Sequence, residues 1–240
     1  MNILLTGISK GLGVQLAEKL LSNGHNVWGL SRGKSEKLGQ LLETYPNQLK
    51  WLSYDLSNTN NIRNKIFKEW IGLQTPLHGF VNNAALAYDD IVTNLNIEPL
   101  EKMYRVNVFT PMMITKYAIR QMLLHRIKGS IVHLSSISVH TGYKGLAMYA
   151  STKGALEAFS KNTAREWGEL GIRSNCLVSG FMETEMSSTL TEDQKNRIYK
   201  RTSLKKATEV ESVAETIAFL LSEKAQSITG QNIHVDSGTI

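Results

Sequence analysis

Short apolar runs alternate with longer amphipathic stretches along the whole chain. Seven of the runs predict strands, at residues 3–5, 26–30, 49–54, 79–81, 129–134, 173–178 and 232–235. The amphipathic stretches predict helices at residues 12–21, 38–42, 99–125, 149–167, 192–201 and 210–221, and one more that Ser57 or Asn58 would cap and that runs through Trp70. Because strands that alternate with helices form a parallel sheet covered on both faces, we predict a doubly wound α/β fold of about seven strands.

No internal repeat, low-complexity tract or linker interrupts this pattern, so residues 1–240 are predicted to form a single domain. Hydrophobic residues make up 42% of the chain, which is enough for a sizeable core. The one cysteine, Cys176, excludes an internal disulfide and a cysteine-based zinc site, and no metal site is predicted. No apolar run approaches the roughly 18 residues that span a bilayer, and the N-terminus lacks the features of a signal peptide. We therefore expect a cytoplasmic protein without a membrane partner.

The charge balance is modestly basic. Lysine and arginine number 27 against 21 aspartate and glutamate residues, which gives a net charge of +6 and a pI near 9.3. Such a surplus is compatible with an anionic partner such as nucleic acid, a phosphorylated cofactor or an acidic carrier, or with an ordinary solvated surface. The positive charges are scattered and no nucleic-acid-binding motif accompanies them, so we expect no nucleic-acid partner.

A glycine-rich turn joins the first predicted strand to the first predicted helix. It reads Thr6-Gly7-Ile8-Ser9-Lys10-Gly11-Leu12-Gly13, with the spacing Gly-x3-Gly-x-Gly. Glycines let the backbone approach a pyrophosphate closely, and the helix N-terminus offers N–H groups and a partial positive charge to the anion. A glycine-rich loop can also be purely structural, but its place in a strand-turn-helix unit favours dinucleotide binding.

The end of the second predicted strand indicates which dinucleotide is bound. A site for NAD usually carries Asp or Glu there, where the carboxylate accepts hydrogen bonds from the ribose 2′-hydroxyl. Here the strand ends in Ser31-Arg32, and the first acid is Glu36. A guanidinium pairs with a 2′-phosphate, and Lys10 in the glycine turn adds a second positive charge. We therefore predict that the cofactor is NADP(H), although Arg32 could also be a solvent-facing loop residue.

Tyr149 and Lys153 have the spacing Tyr-x3-Lys and are therefore neighbours on one helix face. A free tyrosine has a pKa near 10, and a nearby ammonium together with an oxidised nicotinamide favours the phenolate and lowers that pKa. Such a tyrosine can protonate an alkoxide that develops during hydride transfer, or deprotonate an alcohol in the reverse direction. By itself the spacing is weak, because it also occurs by chance in many helices.

These motifs occur in the order typical of the short-chain dehydrogenase/reductase family, which the chain resembles over essentially its full length. The matching elements are the turn of residues 6–13, Asp55-Leu56, Asn82-Asn83-Ala84-Ala85, Asn107, Ser136, Tyr149 with Lys153, Ser179-Gly180 with Thr184, and residues 228–231 and 235–238. Ala85 replaces the more usual glycine, and Ser179 stands where the family often has proline. The resemblance implies a single-domain Rossmann fold and a ketone or alcohol oxidoreductase.

The resemblance also implies a role for each matching residue. Tyr149 would donate the proton during ketone reduction, and Lys153 would lower the pKa of Tyr149 and bind the nicotinamide ribose. Ser136 would bind the substrate carbonyl, with Ser135 as its rival, and Asn107 would hold a water that relays protons to Lys153. The implied contacts of NADP(H) are Gly7, Ser9, Lys10, Gly11, Leu12, Gly13, Arg32, Asp55, Leu56, Asn83, Ala84, Tyr149, Lys153, Gly180 and Thr184.

The substrate is less defined than the chemistry. Within the family, the chain looks most like the 3-oxoacyl-[acyl-carrier-protein] reductases, with much of the likeness in residues 180–186 and 228–230. The resemblance therefore implies a 3-oxoacyl thioester substrate and an acyl carrier protein as a partner. Those reductases dock the carrier with arginines, whereas this chain has Ile127 and Leu170 at the positions we align. A reductase for another small-molecule ketone in a dedicated pathway, or a catalytically silent dinucleotide sensor, are the alternatives.

Three further expectations concern packing and assembly. By resemblance, two long helices would pack against symmetry mates to form a homodimer or homotetramer, through residues such as Met112, Met113, Ile114, Leu156 and Phe159. Cys176 and the histidines His133 and His140 are expected to be core or loop residues without a chemical role. Met182 and Met186 would line a flexible cover over the substrate, or pack as ordinary helix residues.

Overall fold

The computed structural model describes residues 1–184 and 190–239 and contains one parallel sheet. Its seven strands are β1 (Asn2–Thr6), β2 (Asn26–Ser31), β3 (Leu49–Ser53), β4 (Gly79–Asn82), β5 (Ser130–Ser136), β6 (Arg173–Ser179) and β7 (Asn232–Val235). They are arranged in the order β3-β2-β1-β4-β5-β6-β7. The predicted fold class is confirmed, and each strand lies within two residues of its predicted bounds.

The connections between these strands are mainly helical. The α-helices are α1 (Gly11–Ser22), α2 (Glu36–Thr44), α3 (Ile97–Tyr104), α4 (Thr110–Leu124), α5 (Ser138–Thr141), α6 (Ala147–Trp167), α7 (Glu192–Lys200) and α8 (Val210–Leu221). A π-helix, Ile62–Ile71, connects β3 to β4. The predicted caps of this helix, Ser57 and Asn58, are wrong: the helix begins at Ile62, and the backbone N–H of Ser57 instead donates to the Asp55 carboxylate.

Neighbouring residues of a strand contribute to opposite faces of the sheet. Ile3 and Leu5 of β1 belong to the apolar cluster beneath α1 and α8, whereas Leu4 between them packs in the second cluster with the π-helix and α4. All three side chains are completely buried. Since side chains alternate along a strand, a continuous apolar run is what a strand covered on both faces requires.

α3 and α4 are joined into one long helical segment by a π-turn, Arg105–Phe109. A π-turn inserts one extra residue per turn, and such turns are frequent at functional sites. Asn107 lies within this turn and is buried. The predicted single helix of residues 99–125 is therefore present, but with an interruption at the candidate catalytic asparagine.

The strand order reverses between β1 and β4. Chain connections run outward from β1 through β2 to β3 and then return to β4 on the other side of β1. Ligands of open parallel sheets bind at such a reversal, beyond the carboxyl ends of the strands. The glycine turn follows β1 and Asn83 follows β4, so both lie at this position.

The residues proposed for assembly fall into two groups. Ile114 and Leu156 are completely buried within the chain, so they belong to its core. Met112, Met113 and Phe159 are partly exposed. Across the described ranges, no helix has both the length and the apolar character required for crossing a bilayer.

Candidate active site

The glycine turn has a backbone conformation that glycine adopts more readily than any other residue. Gly7 and Gly11 have φ angles of +75° and +51°, in the region that side chains disfavour. A Cβ placed on Gly13 would lie 1.9 Å from the carbonyl oxygen of Gly7, so α1 starts directly against the turn. Leu12 and Gly13 are buried, whereas Ser9 and Lys10 lie toward the surface. The first N–H groups of α1 thus face the carboxyl edge of the sheet, where a phosphate would be held.

Hydrogen bonds from neighbouring elements fix this turn. The side-chain amide of Asn83 donates to the carbonyl oxygens of Thr6 and Gly7, both at 3.1 Å. The hydroxyl of Thr6 accepts the backbone N–H groups of Asn83 and Ala84, also at 3.1 Å. On the other side, the Ser35 hydroxyl donates to the carbonyl of Ser9 at 2.5 Å. The turn therefore has its shape before a ligand arrives.

Arg32 follows β2, and Asp55 lies just after β3, the neighbouring strand of the sheet. Arg32 is exposed, and its carbonyl accepts the Ser53 hydroxyl at 2.9 Å. The backbone N–H of Ser57 holds the pKa of Asp55 below its ordinary value, and the positive charge of Arg32 adds to that effect. Leu56 is fixed by Thr110, whose hydroxyl donates to the Leu56 carbonyl at 2.5 Å. β2 and β3 lie at the opposite end of the strand order from β5 and β6, against which α6 packs. These residues therefore form the end of the site that is farthest from α6.

Tyr149 and Lys153 lie on α6, which packs against β5 and β6. Lys153 is only 2% exposed, and its Nζ donates to the carbonyl of Leu134 at 2.8 Å. The same Nζ lies 5.6 Å from the centre of the Tyr149 ring. Burial lowers the pKa of Lys153 to about 8. The predicted pair is therefore brought together against the end of β5.

In the protein by itself the pKa of Tyr149 lies above its ordinary value, and the predicted lowering by Lys153 together with an oxidised nicotinamide stays a prediction. Burial raises the pKa of the phenol above its ordinary value, and the negative charge of Asp89 raises it further. Desolvation also raises the pKa of Asp89, which lies in the loop after β4. The Tyr149 phenol is consequently neutral at physiological pH, which is the state that a proton donor needs.

The structure separates the two candidate serines. Ser136 accepts hydrogen bonds from the backbone N–H of Ser138 at 3.2 Å and from its hydroxyl at 3.0 Å. Ser135 is 2% exposed, and its hydroxyl donates to the carboxylate of Glu157 in a short hydrogen bond. Because the side chain of Ser135 is buried on the other side of the strand, Ser136 is the serine that can meet a substrate.

Asn107 has its side-chain amide engaged by the backbone after β4. Its Oδ1 accepts the N–H of Leu86 and its Nδ2 donates to the carbonyl of Leu86, both at 2.8 Å. The same Nδ2 donates to the hydroxyl of Thr152 at 3.0 Å, next to Lys153. The side chain thus joins the β4 loop to α6, and the predicted water relay would have to use another atom of Asn107.

Gly180 and Thr184 lie after β6, opposite the glycine turn. A Cβ on Gly180 would lie 2.4 Å from the Thr208 hydroxyl and 2.6 Å from the Asp236 Cα, so the chain passes close to the C-terminal segment. A Cβ on Gly11 would lie 3.5 Å from the Thr184 methyl group. The two sides of the site therefore approach each other between Gly11 and Thr184. Met182 packs partly buried on the core, and Met186 lies outside the described residues.

His133 and Cys176 are core residues, as the sequence predicts. His133 is completely buried between Phe80 and Phe159, and burial lowers its pKa to about 3. Cys176 is also buried, which raises the pKa of its thiol to about 12. His140 differs, because its Nε2 lies 3.1 Å from the carboxylate of Glu157. Sequence reasoning found no acidic partner for it.

A family model described as enoyl-(acyl carrier protein) reductase matches residues 7–239, which is nearly the whole chain and includes every element of the site. The chain belongs to the short-chain dehydrogenase/reductase family. It is accordingly an NAD(P)-dependent oxidoreductase, as the glycine turn and the Tyr149–Lys153 pair predict.

Individual short-chain dehydrogenases and reductases differ in substrate. The chain is 32% identical to the 3-oxoacyl-[acyl-carrier-protein] reductase FabG of Aquifex aeolicus, over 98% of this chain and 95% of that protein. A solved structure described as ElxO with NADP bound is 28% identical and has a TM-score of 0.85, covering 98% of this chain and 97% of its own. A 4-hydroxyisoleucine dehydrogenase complexed with NADH is 25% identical with a TM-score of 0.91, covering 99% and 97%.

Several residues that shape this short-chain dehydrogenase site were not singled out from the sequence. They are Ser35, Asp89, Thr110, Ser138 and Glu157. Ser138 carries a weak signal, because it follows Ser136 at spacing Ser-x-Ser. Glu157 carries another, since it continues the four-residue spacing of Tyr149 and Lys153. The others act through contacts between distant segments, which a linear pattern does not display.

Replacing Lys153 by methionine is expected to stabilise the fold while it abolishes activity. In the unfolded chain the amine is charged up to about pH 10, but in the native chain only up to about pH 8. The buried charge therefore destabilises the native state below pH 8. Wild-type stability rises relative to the variant between pH 8 and 10, where unfolding takes up a proton. We expect the Tm of Lys153→Met to exceed that of wild type by about 3–6 °C at pH 7.

Thermal unfolding at several pH values measures this difference. The Tm advantage of Lys153→Met should be nearly constant below pH 8 and shrink between pH 8 and pH 10. Lys161→Met, on an exposed position of the same helix, is the control and should show no such pH dependence. A constant Tm difference across that range would show that the amine of Lys153 is not desolvated in the native chain.

Proposed function

We propose that the protein reduces a ketone to a secondary alcohol with NADPH, and that its substrate is a 3-oxoacyl thioester. The observation that carries the first part is the juxtaposition of Tyr149 and Lys153 with the end of β5, next to the switch point of the sheet. Lys153 lies 5.6 Å from the ring of Tyr149 and binds the backbone two residues before Ser136. A neutral phenol can donate the proton, and a cation and a hydroxyl can stabilise the negative charge that develops during carbonyl reduction.

The residues present fit a dinucleotide. The turn of residues 7–13 has no room for side chains at Gly7 and Gly13, and the start of α1 faces the same edge. When bound, the reduced nicotinamide supplies the hydride. The phosphates of the dinucleotide would be held by Gly7, Ser9, Lys10, Gly11, Leu12 and Gly13. The adenosine half would be held by Arg32, Asp55, Leu56, Asn83 and Ala84. The nicotinamide half would be held by Tyr149, Lys153, Gly180 and Thr184.

The protein's own groups act on the carbonyl oxygen. Ser136 donates a hydrogen bond to that oxygen and stabilises the negative charge that develops on it. Tyr149 donates its proton to the same oxygen, and the resulting phenolate is stabilised by the ammonium of Lys153. Lys153 then returns a proton to the Tyr149 phenolate and takes up a replacement proton from solvent, and Asn107 keeps α6 aligned with the β4 loop through Thr152. The depressed pKa of Lys153, about 8, suits a group that gives up a proton near neutral pH.

The preference for NADPH is assigned to Arg32. We expect Arg32→Asp to weaken NADPH binding about 100-fold and to change NADH binding by less than threefold, because a lost charge-assisted pair costs about 1.5–3 kcal/mol and the new carboxylate repels a 2′-phosphate. Quenching of tryptophan fluorescence measures both dissociation constants. Arg120→Asp, an exposed reversal on α4, is the control. Equal losses for the two cofactors would refute the role of Arg32.

The thioester substrate is supported by the 32% identity to FabG of Aquifex aeolicus over nearly the whole chain.

One observation favours a second candidate, a different ketone. Ile127 and Leu170 stand at the positions where carrier-docking arginines are expected by resemblance, and Leu170 is 54% exposed. Arg126 and Lys128 are exposed neighbours of Ile127 and would provide a displaced basic patch.

A substrate panel distinguishes the two candidates. Oxidation of NADPH is followed with acetoacetyl-carrier protein, acetoacetyl-CoA, and a set of small ketones and keto acids. A thioester reductase is expected to show kcat/KM for the carrier-bound substrate at least 10-fold above that for every small ketone. Activity with a small ketone alone would replace the thioester assignment and retain the reductase mechanism.

The proposed setting is the cytoplasm, and the proposed assembly is a homodimer or homotetramer built through the exposed parts of α4 and α6. Met112, Met113 and Phe159 are the partly exposed apolar residues on these helices. Sedimentation of the purified protein measures the assembly state. A monomer at micromolar concentration would contradict it.

A further inference from the structure

A buried carboxylate, Glu157, follows Lys153 by one turn on the same face of α6. The spacing of Tyr149, Lys153 and Glu157 is four residues at each step, so the three side chains form one row. Glu157 is 8% exposed. Glu157 lies one helical turn beyond the two proposed catalytic groups, and it contacts β5 on the face that is turned away from the proposed substrate.

Both oxygens of Glu157 accept hydrogen bonds. Oε1 accepts the Ser135 hydroxyl in a short hydrogen bond and lies 3.1 Å from Nε2 of His140. Oε2 accepts the side-chain amide of Asn232 at 2.7 Å. The partners come from β5, α5 and β7, so one side chain joins three elements to α6. Buried charged groups are retained where several donors satisfy them.

The end of β5 is held by three hydrogen bonds to two consecutive residues, Leu134 and Ser135. Lys153 binds the carbonyl of Leu134, Glu157 binds the hydroxyl of Ser135, and the Ser179 hydroxyl donates to the carbonyl of Ser135 at 3.3 Å. Side chains alternate along a strand, so the group that fixes Ser135 on one face also sets the direction of Ser136 on the other. The backbone of Ser136 pairs with Ser179 of β6, and its hydroxyl accepts hydrogen bonds from Ser138.

We propose that Glu157 is a positioning residue for Ser136: by binding Ser135 it sets the backbone of the last β5 residues and so aims the Ser136 hydroxyl at the carbonyl oxygen. This inference rests on the proposed reductase function, in which Ser136 touches the substrate. Glu157 itself touches neither substrate nor cofactor. Its influence is through geometry, and small displacements of a catalytic group, of about 1 Å, can cost on the order of 100-fold in rate.

The titratable neighbours of Glu157 belong to the same network. His140 lies against it, and the ring of His140 is 4.7 Å from that of His234 in an edge-on contact. His234 Nδ1 is 3.5 Å from a carboxylate oxygen of Asp236. The pKa of the Cys176 thiol on β6 is raised by the nearby Glu157 carboxylate and lowered by the nearby Lys153 ammonium. Two carboxylates and two histidines thus connect α6 to the C-terminal strand.

The test compares Glu157→Ala with Glu157→Gln. The alanine variant frees the Ser135 hydroxyl, and we expect kcat to fall by 10-fold or more while the dissociation constant for NADPH stays within twofold. Glutamine retains an oxygen for Ser135 and His140, and a rotation of the Asn232 amide provides an acceptor for its nitrogen. We therefore expect Glu157→Gln to keep kcat within threefold of wild type.

A double-mutant cycle separates positioning from general loss of stability. Ser135→Ala should lower kcat as Glu157→Ala does, and the double variant should be no slower than either, because both act through the same contact. Ser160→Ala removes a different buried bond between α6 and β6, the 2.8 Å contact to Ser174. This matched variant should lose thermal stability but keep the wild-type kcat.

Two outcomes would overturn the inference: a wild-type kcat in Glu157→Ala, or additive effects of the two substitutions. A failure of the proposed reductase mechanism is recognised separately, because Tyr149→Phe would then oxidise NADPH as fast as the wild-type protein. If Tyr149→Phe is inactive and Glu157→Ala is fully active, only the positioning role is wrong.

Discussion

Replacing Tyr149 by phenylalanine is expected to reduce turnover at least 1,000-fold and to leave the affinity for NADPH within twofold of wild type. General acid catalysis by a positioned side chain contributes about 100- to 10,000-fold, and the Lys153 amine is held by the Leu134 carbonyl behind the phenol. The ring itself remains, so packing and cofactor contacts persist. Steady-state oxidation of NADPH and fluorescence titration measure the two quantities.

Tyr117→Phe is the control for this substitution. Tyr117 lies on α4 and packs against Phe67, on the opposite side of the fold from the glycine turn's cluster. It loses the same hydroxyl, and turnover should be unchanged. Turnover of Tyr149→Phe within threefold of wild type would remove the phenol from the mechanism.

Replacing Gly13 by alanine is expected to weaken NADPH binding by about 100-fold or more and to lower Tm. The new methyl would sit 1.9 Å from the Gly7 carbonyl oxygen and 2.8 Å from the Asn83 amide, which is far inside contact distance. The turn must therefore move away from α1, which separates the N–H groups that a pyrophosphate needs. Overpacking of this kind typically costs about 1–3 kcal/mol in stability.

Gly39→Ala provides the matched change. Gly39 lies within α2, where a Cβ would meet no atom within 4 Å. Alanine favours a helix over glycine by about 1 kcal/mol, so Tm should rise slightly and NADPH affinity should stay constant. Normal NADPH affinity in Gly13→Ala would mean that the glycine turn does not hold the dinucleotide.

The seven strands and most helices of this fold could be predicted because they carry their own local signals. The buried run of β1 and the glycines after it define a strand and a turn without reference to the rest of the chain. α8 and β7 are found at their predicted bounds. The short helix α5 and the π-turn around Asn107 could not be predicted, since both depend on how the chain packs after β5 and β4.

The candidate site could be predicted as a set of residues but not as an electrostatic environment. Tyr149 and Lys153 follow from their spacing, yet the raised pKa of Tyr149 depends on burial and on Asp89, which lies 60 residues earlier in the chain. The partner of His140 could not be recognised for the same reason. The sequence pattern shows which titratable side chains the site contains, whereas contacts between distant segments set the pKa values of those side chains.

The row formed by Tyr149, Lys153 and Glu157 has a consequence for changes in chain length. Each residue advances an α-helix by about 100°, so one residue inserted or deleted between Tyr149 and Glu157 would rotate the carboxylate by that angle away from β5. Insertions in the loop before Ala147 or after Trp167 leave the row intact. Natural variation in length should therefore be tolerated at both ends of α6 and excluded from its first three turns.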